Sequence, residues 1–515
     1  MSSEALPGLR LRKINVKQKD STVSAVAILP VAEEPVTPAG RLFMEQDMNC
    51  YILCTLAFEN PINVEEFKKT FLVTLVNHKR FQSIIVQDKK GRDIWVPVEV
   101  NIDDHIVEAN VDTSDPTYVE NYVTDLAIAP PLDVKRPMWQ FHVLNGTSGN
   151  AAGHMIVRVH HALGDGTSLM SLLLACTRRL GSPDELPAVP VARRRERERK
   201  SAFRHILSLL NLFWNTLVGV FLFTSTAIWL KDSESVIKGH TGVEKEKKKL
   251  NFVSLEMADM VTVKDSVNGT VNDVLMGIVG SALRTYLVGR DAASSPANSA
   301  GEIETSADSD PKAEVVKTKS KIASKVEKLR IRACAMMNTR GSPGLQELAS
   351  MMEGGSQHRW GNRMGYLLMD IPLKYHLDPL DYVRAAKKVT DRKKASLEGI
   401  FTYWSGAMLM GLTGPKPPLI LTRRIVLQTT LTVSNVPGPT EPVTFAGNPI
   451  VGIFPTVSGH PQSVSIYLQT YMGKASLVVM SAESAIPDPE VFCKLCVDSL
   501  KDMVRAAKSR PVPPA

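Results

Sequence analysis

The sequence feature that most restricts the fold is a long apolar segment near the middle of the chain. Residues 206–230 contain no charged side chain, and they are flanked by a strongly charged run at 193–204 and a lysine run at 247–249. A helix of that length extends over about 35 Å, which exceeds the roughly 30 Å hydrocarbon core of a bilayer. Because Asn211, Asn215 and several threonines interrupt the segment, it suits a membrane surface better than a lone crossing.

Strand and helix patterns alternate on both sides of this segment. A strand-like run at 49–59 precedes apolar residues at helical spacing over 63–78, for which Asn63 is the expected N-cap. Beyond the segment, an amphipathic helix is predicted over 269–290, and a strand hairpin is predicted to turn through Met472 and Gly473. This alternation indicates the α/β fold class.

The same patterns predict four parts of the chain. A flexible leader covers 1–36, a first lobe covers 37–192, a basic linker with the apolar segment covers 193–250, and a second lobe covers 251–515. The second lobe contains a Gly-, Ser-, Ala-, Asp- and Lys-rich stretch at 291–328, which is predicted to be a mobile insertion. Hydrophobic residues make up 44% of the chain, enough for a sizeable core.

Charge and cysteine content narrow the choice of partners. The formal net charge of +8 suits acidic small molecules, anionic membranes or nucleic acid alike. Nucleic acid is disfavoured, because the basic residues cluster beside the apolar segment without interleaved aromatic residues. The 6 cysteines do not form a disulfide framework in so long a chain, and Cys493 and Cys496 are predicted to be buried thiols on one helix face.

The stretch that most suggests chemistry is VRVHHALGDG, residues 157–166. If 154–161 is a strand, His161 shares an apolar face with Val157 and Val159, whereas His160 shares the other face with Arg158. A neutral imidazole in dry surroundings can act as a general base near neutral pH. His161 is therefore the candidate base, and His160 is predicted to be structural or solvent-facing.

A tight turn follows and leads into a helix predicted over 167–180. Gly164 and Gly166 permit unusual dihedrals or the close approach of another backbone. Asp165 is placed to cap the helix, or to bond an arginine and so fix the loop; an ordinary buried histidine beside an ordinary cap is the structural alternative. A metal site is disfavoured, because adjacent histidines on a strand point to opposite faces, and no metal is expected.

The motif HHALGDG resembles the HHxxxDG signature of acyltransferases that share the chloramphenicol-acetyltransferase-like fold. Further blocks are similar to the plant branch of the wax ester synthase/diacylglycerol acyltransferase family, and their order and spacing together are specific. These blocks contain Pro131, Leu132, Asp133, Pro137 and Trp139; Asn272 and Asp273; Asn338 and Arg340; Gly361 and Asn362; and SNVPGP at 434–439.

This resemblance implies two lobes, each with a mixed sheet, and an active-site tunnel between them. It also implies transfer of a long-chain fatty acyl group from acyl-CoA to a fatty alcohol, giving wax esters, with possible acylation of diacylglycerol to triacylglycerol. Acyl-CoA is a co-substrate, and no cofactor is implied. Two alternatives stay open: diacylglycerol acylation as the main activity, and a catalytically inactive, membrane-anchored lipid-binding scaffold.

The resemblance assigns roles to residues of the motif. His161 would be the general base, and Asp165 and Gly166 would shape its loop. A tetrahedral oxyanion needs hydrogen-bond donors already in place. The candidates for binding this oxyanion or the substrate are Asn272, Ser434 and Asn435.

Three further residues are predicted to support the site. His160 lies beside the base, and Trp139 is either a packing residue or a substrate contact. In relatives of this fold the aspartate of the motif pairs with an arginine, and Arg80 is the predicted partner of Asp165.

Two lobes that share one site must lie on the same side of a membrane. A single crossing by 206–230 would separate them, so this segment is expected to be an interfacial or re-entrant hairpin, or a helix that packs on the protein and dips into one leaflet. We predict location at the endoplasmic reticulum membrane with both lobes facing the cytosol; the plasma membrane is the alternative. There the protein would take a lipid alcohol from the bilayer and acyl-CoA from water.

Overall fold

Two mixed sheets form the frame of the protein in the computed structural model, which describes residues 34–188, 202–293, 320–340 and 360–509. The predicted leader falls almost wholly outside the described residues, and so do most of the charged run at 193–204 and the centre of the predicted insertion. Beyond Glu34, the described residues belong to one compact unit.

The strands and helices are numbered here in chain order. The strands are β1 (Glu34–Pro35), β2 (Tyr51–Phe58), β3 (Ser83–Gln87), β4 (Asp93–Pro97), β5 (Ile106–Glu108), β6 (Trp139–Ser148), β7 (Ala151–His160), β8 (Arg178–Arg179), β9 (Lys248–Glu256), β10 (Arg332–Asn338), β11 (Met364–Asp370), β12 (Leu431–Val436), β13 (Val443–Phe445), β14 (Asn448–Ser458), β15 (Val464–Tyr471) and β16 (Lys474–Ala482). The helices are α1 (Pro38–Phe43), α2 (Val64–Val73), α3 (Tyr118–Ile128), α4 (Gly166–Cys176), α5 (Ala202–Ile228), α6 (Met257–Ser266), α7 (Val271–Ala293), α8 (Leu380–Lys394), α9 (Glu398–Thr413), α10 (Lys416–Leu427) and α11 (Pro489–Lys508).

The first sheet has the strand order β5-β6-β7-β2-β14-β13-β8. Its centre is antiparallel, with β2 between β7 and β14, whereas β5 runs parallel to β6. Strands β13 and β14 come from the C-terminal part of the chain, so the two lobes are interleaved by sheet pairing. A division of the chain at 192 and 251 therefore does not describe which strands share a sheet.

The second sheet has the order β11-β10-β12-β15-β16-β9. Strand β12 pairs in parallel with both β10 and β15, and the remaining pairs are antiparallel. Residues from α7, α8 and α11 form a large apolar core with this sheet, in which Phe492, Cys493 and Cys496 are fully buried. The expectation of a mixed sheet in each lobe is confirmed.

Local sequence signals explain where several elements begin and end. The Asn63 side chain accepts hydrogen bonds from the backbone N–H groups of Glu65 and Glu66, as predicted for an N-cap. The β15–β16 hairpin turns through Met472 and Gly473, which have φ angles of 48° and 74°. The helix predicted over 167–180 ends earlier, at Cys176, because the chain leaves the helix to pair β8 with β13.

The apolar segment forms α5, one continuous helix, so the alternative of a hairpin is wrong for its described part. Phe203–Ile228 is long and apolar enough to cross a membrane by length and composition, and only 6% of its most apolar window is buried. Most of this helix is therefore not covered by the rest of the described chain. The C-terminal end is anchored, because the Thr226 hydroxyl is buried and accepts a 2.6 Å hydrogen bond from Arg332.

The predicted insertion at 291–328 is too long at both ends. Residues up to Ala293 belong to α7, and Val326, which is 1% exposed, packs into the core of the second sheet. At the second boundary, burial of Val326 draws the chain into ordered structure, which a compositional reading of the sequence does not register.

Candidate active site

His161 faces a cavity of about 180 Å³ that both halves of the chain line. The first half contributes Cys50 and Ile52 with the loop from His161 to Thr167. The second half contributes residues of β10, β11, β12 and β14. The site therefore lies at the meeting of the two sheets, where the resemblance predicted a tunnel.

The His161 imidazole is held by Asn362 from the second half of the chain. The Asn362 Nδ2 group donates to the His161 carbonyl oxygen at 2.8 Å, which turns its Oδ1 toward His161 Nδ1 at 3.1 Å. Because Oδ1 can only accept, Nδ1 must carry the proton, and Nε2 keeps the basic lone pair. The Phe43 ring lies 4.3 Å from the imidazole between ring centroids and closes one side.

Burial decides the protonation state of this histidine. His161 is 8% exposed, and removal of water lowers its pKa below the ordinary value, against smaller opposing effects that include the Asp165 charge and the Asn362 hydrogen bond. The imidazole is therefore neutral at physiological pH, which is the state a general base requires.

His160 is structural, and it is not solvent-facing. It is 2% exposed, and burial lowers its pKa to about 3. Its Nδ1 accepts from the Ala162 backbone N–H at 3.1 Å, and its Nε2 lies 2.9 Å from Asn49 Oδ1. Both ring nitrogens are thus engaged inside the protein, which leaves His161 as the candidate base of the pair.

Asp165 both caps a helix and binds an arginine. Its Oδ1 accepts from Ser168 N–H at 3.0 Å, which caps α4, and its Oδ2 accepts from Arg340 Nη1 at 2.8 Å and from the Arg363 backbone N–H at 3.0 Å. The Arg340 and Asp165 side chains are 4% and 8% exposed. This buried ion pair joins the loop after His161 to the end of β10 in the other sheet.

The prediction that Arg80 pairs with Asp165 is wrong. The Arg80 guanidinium lies 5.0 Å from the centre of the Trp95 ring, and its Nη1 approaches the Leu163 carbonyl oxygen at 3.4 Å. Arg80 therefore supports the same loop through its backbone. The true partner is far away in sequence, at Arg340, and strand or helix spacing carries no information on such a contact.

Two glycines of the motif lie at close approaches to other side chains, and neither has a positive φ angle. A Cβ atom on Gly166 would lie 3.2 Å from Val436 Cγ2, and one on Gly164 would lie 3.3 Å from the Trp360 ring. Gly166 also begins α4 at the edge of the cavity. Its small size lets the first half of the chain touch β12.

The structure brings together only some of the predicted oxyanion donors. Ser434 and Asn435, on β12, line the cavity with His161. Asn272 is exposed and is connected to the cavity wall through Asn435, whose Nδ2 donates to Asn272 Oδ1 at 2.6 Å. Its neighbour Asp273 is fully buried and accepts from Thr270 N–H at 2.7 Å, so it caps α7.

Trp139 is a packing residue. It is 0% exposed, its indole N–H donates to the Phe81 carbonyl oxygen at 2.8 Å, and its ring stacks on His105 with 4.0 Å between centroids. The alternative of a substrate contact is not supported, because these neighbours surround it inside the first sheet.

A second, almost wholly apolar cavity of about 100 Å³ adjoins the first. It lies between α4 and the first sheet and shares Ile52, Gly166, Val436 and Pro455 with the His161 cavity. Its walls include Leu169, Leu173, Phe71, Phe141 and Met155. The His161 cavity therefore opens beside a space suited to a hydrocarbon chain.

Sequence reasoning missed His460, a second histidine of the cavity wall. Its Nε2 lies 2.9 Å from Ser465 Oγ, and its Nδ1 is buried with no hydrogen-bond partner among the described residues. Burial, followed by the positive charge of Lys248, lowers its pKa to about 4. No spacing signal marked it, because it lies in a loop almost 300 residues beyond His161.

Within the described parts of the chain, no group of three or more His, Cys, Asp or Glu side chains is arranged to hold a metal ion. The polar side chains of the His161 cavity include two neutral imidazoles, those of His161 and His460, together with hydroxyl and amide groups.

Comparison with known proteins gives one consistent family. The profile of the wax ester synthase/diacylglycerol acyltransferase catalytic domain matches residues 42–275, and that of the WS/DGAT C-terminal domain matches residues 360–504. Wax ester synthase/diacylglycerol acyltransferase 11 of Arabidopsis thaliana is 35% identical over 490 residues, covering 93% of this chain and 96% of the relative.

Solved structures agree on the fold. The wax ester synthase/diacylglycerol acyltransferase from Marinobacter aquaeolei VT8 superimposes with a TM-score of 0.56 at 16% identity, covering 92% of this chain and 100% of that one. The first condensation domain of the calcium-dependent antibiotic synthetase superimposes with a TM-score of 0.52 at 13% identity, covering 92% of this chain and 98% of that one. At these identities the likeness concerns the fold alone.

Proposed function

Because the chain belongs to the wax ester synthase/diacylglycerol acyltransferase family, we propose that it transfers a long-chain fatty acyl group from acyl-CoA to a fatty alcohol, forming a wax ester and free CoA. The observation that carries this proposal is the neutral, Asn362-oriented His161 in a cavity lined by both halves of the chain. Diacylglycerol is the second acceptor, because the family name joins both activities.

His161 acts first as a general base. Its Nε2 removes the hydroxyl proton of the alcohol while the alcohol oxygen attacks the thioester carbonyl carbon. The C=O π electrons move to the oxygen, and a tetrahedral oxyanion forms. When the C–S bond breaks, the imidazolium returns its proton to the departing thiolate, so that CoA leaves as a thiol and His161 is neutral again.

Ser434 and Asn435 are the proposed donors to the oxyanion. Both lie on the cavity wall opposite the first half of the chain. Asn272 has a positioning role in this proposal, because its Oδ1 holds the Asn435 amide at 2.6 Å and it reaches the cavity only through that contact. Loss of one such donor typically costs a factor of about 10²–10³ in turnover.

The adjoining apolar cavity is the proposed place of the acyl chain. It meets the catalytic cavity at Gly166 and Val436, so a thioester carbonyl beside His161 can direct its hydrocarbon chain inward between α4 and the first sheet. Burial of each methylene group contributes about 0.8 kcal/mol, which favours long chains until the cavity is full.

Helix α5 is the proposed membrane attachment. Strand β14 pairs with β2, so the lobes cannot lie in different compartments, and a lone crossing by α5 is incompatible with the fold. The helix instead rests in one leaflet, with the protein at the cytosolic face of the endoplasmic reticulum. Protease treatment of sealed microsomes tests this placement: both lobes should be digested, and protection of either one would contradict it.

The reaction is tested in cells that lack neutral lipid synthesis. Cells that express the protein and receive hexadecanol should accumulate wax esters, which mass spectrometry identifies, while His161→Ala should abolish them with unchanged protein level. Triacylglycerol measured in the same extracts gives the share of diacylglycerol acylation. Equal ester from the wild type and His161→Ala would refute the assignment of the base, and no neutral lipid from either would favour the inactive scaffold.

A further inference from the structure

A second helix beside α5 exposes an apolar face. On α9, Phe401, Trp404, Met408 and Leu412 are 37%, 64%, 65% and 75% exposed. They repeat at intervals of three or four residues and so share one side, whereas the opposite side, with Thr402 and Met410, is buried. Solvent-exposed apolar side chains in such a row mark an interaction surface.

The two helices touch. The Phe223 ring of α5 lies 6.5 Å from the Phe401 ring of α9 between centroids, and the Thr216 hydroxyl accepts from the Leu397 backbone N–H at 2.9 Å. The next helix, α10, contacts the C-terminal end of α5, because the Arg424 guanidinium donates to the Ile228 carbonyl oxygen. On α10, Ile420 and Leu421 are 67% and 37% exposed. The exposed apolar surfaces of α5, α9 and α10 are therefore neighbours.

Composition favours a lipid bilayer as the occupant of this surface. Residues 202–231 and 399–427 contain no acidic side chain, whereas Lys416, Arg423 and Arg424 lie in the second of these stretches. Exposed tryptophans at positions 214, 229 and 404 suit the headgroup region. Every side chain of α5 from Phe203 to Asn211 is exposed, and lipid can surround such a stretch of helix whereas one protein face cannot.

A cavity of about 280 Å³ lies beneath this surface. Its walls come from α1, from Phe223 of α5, from residues 402–410 of α9 and from α10. Three of its wall residues, Met364, Tyr366 and Val426, also line the cavity of His161. The space under the exposed helices therefore adjoins the site of chemistry.

We propose that the apolar faces of α5, α9 and α10 insert together into one leaflet, and that the cavity beneath them is the portal through which a bilayer-dissolved alcohol reaches His161. This inference rests on the proposed acyl transfer and adds to it the route of the lipid acceptor. A water-soluble alcohol can reach His161 without passing through a bilayer. Comparison of a water-soluble acceptor with a bilayer-dissolved one therefore distinguishes a defect in acceptor entry from a defect in acyl transfer.

The test compares hexadecanol in phosphatidylcholine/phosphatidylserine vesicles with hexanol in solution, using decanoyl-CoA as the donor in both. Trp404→Glu/Leu412→Glu places two charges on the exposed face. We expect at least a tenfold loss of vesicle binding in flotation and of hexadecanol turnover, with hexanol turnover within twofold. Val491→Glu, at an exposed apolar position of α11, is the matched control and should change neither. If the double variant floats with vesicles as the wild type does, the proposal that α5, α9 and α10 insert into the membrane is refuted.

The portal is tested separately. Ala407→Trp fills the cavity, whereas Gly411→Trp puts the same side chain on the same helix into open space. We expect Ala407→Trp to bind vesicles normally and to lose at least tenfold in hexadecanol turnover while hexanol turnover is kept, and Gly411→Trp to match the wild type. Equal hexadecanol turnover by both variants would refute the proposal that the acceptor enters through this cavity. If the wild type forms ester with neither alcohol, the proposed acyl transfer is refuted. The flotation assay would still show whether the protein binds vesicles through the exposed helices.

Discussion

Substitution of Arg340 tests whether the motif aspartate is a positioning residue. Arg340→Met removes the 2.8 Å ion pair with Asp165 and leaves a carboxylate buried at 8% side-chain exposure. Breaking a buried pair by removing one partner costs about 3–5 kcal/mol, which is a large part of a total stability of roughly 5–15 kcal/mol. The control Arg92→Met breaks a pair with Asp88 in which Arg92 is 57% exposed, and should cost much less, because solvent screens the two charges.

The assay is urea unfolding of the purified protein followed by tryptophan fluorescence, with hexanol turnover measured in parallel. Asp165→Asn should lower the unfolding midpoint strongly, and the double variant with Arg340→Met should be less destabilised than the sum of the two single variants, because both remove one interaction. His161→Ala should abolish turnover with little change in the midpoint. Strictly additive effects, or a loss with Arg340→Met as small as with Arg92→Met, would refute the reasoning.

Three other predictions concern the cavities and pH. Leu173→Trp fills the apolar cavity beside α4, so competition between palmitoyl-CoA and octanoyl-CoA should shift toward the shorter donor; an unchanged ratio would place the acyl chain elsewhere. His460→Ala removes an imidazole that lines the His161 cavity; we expect this imidazole to hydrogen-bond the acceptor, so the substitution should raise the KM for the acceptor about tenfold at nearly constant kcat, as steady-state kinetics would report. Burial lowers the pKa of His161, so its neutral form persists as pH falls below the ordinary value of about 6.5; hexanol turnover should therefore decline only at more acidic pH, and a midpoint above 6.5 would contradict a buried base.

The sequence alone located the candidate site because local physics marks it. The alternation of strand faces distinguished His161 from His160. The two glycines were consistent with a close approach of another part of the chain, and a short acidic side chain before an apolar helix predicted an N-cap. Strand β2, the Asn63 cap, the helix that carries Cys493 and Cys496, and the apolar segment were also predictable, because each depends on residues near one another in the chain. The sequence blocks that resemble the family, taken in their order, then predicted the fold with two mixed sheets.

Tertiary structure decided what depends on distant residues. The partner of Asp165 is Arg340 and not Arg80, the orienting group of His161 is Asn362, and His460 completes the cavity wall. Each contact joins parts of the chain more than 170 residues apart, which no periodicity within one element can specify.

The apolar surface beyond α5 has the same origin. The sequence of α9 is too short and too mixed to mark a membrane helix, and its exposed face has meaning only because the fold sets it against α5, above a cavity that adjoins His161. The local pattern of side chains thus determined which residues are reactive or apolar, whereas packing determined which of them meet, because burial and pairing depend on the whole fold.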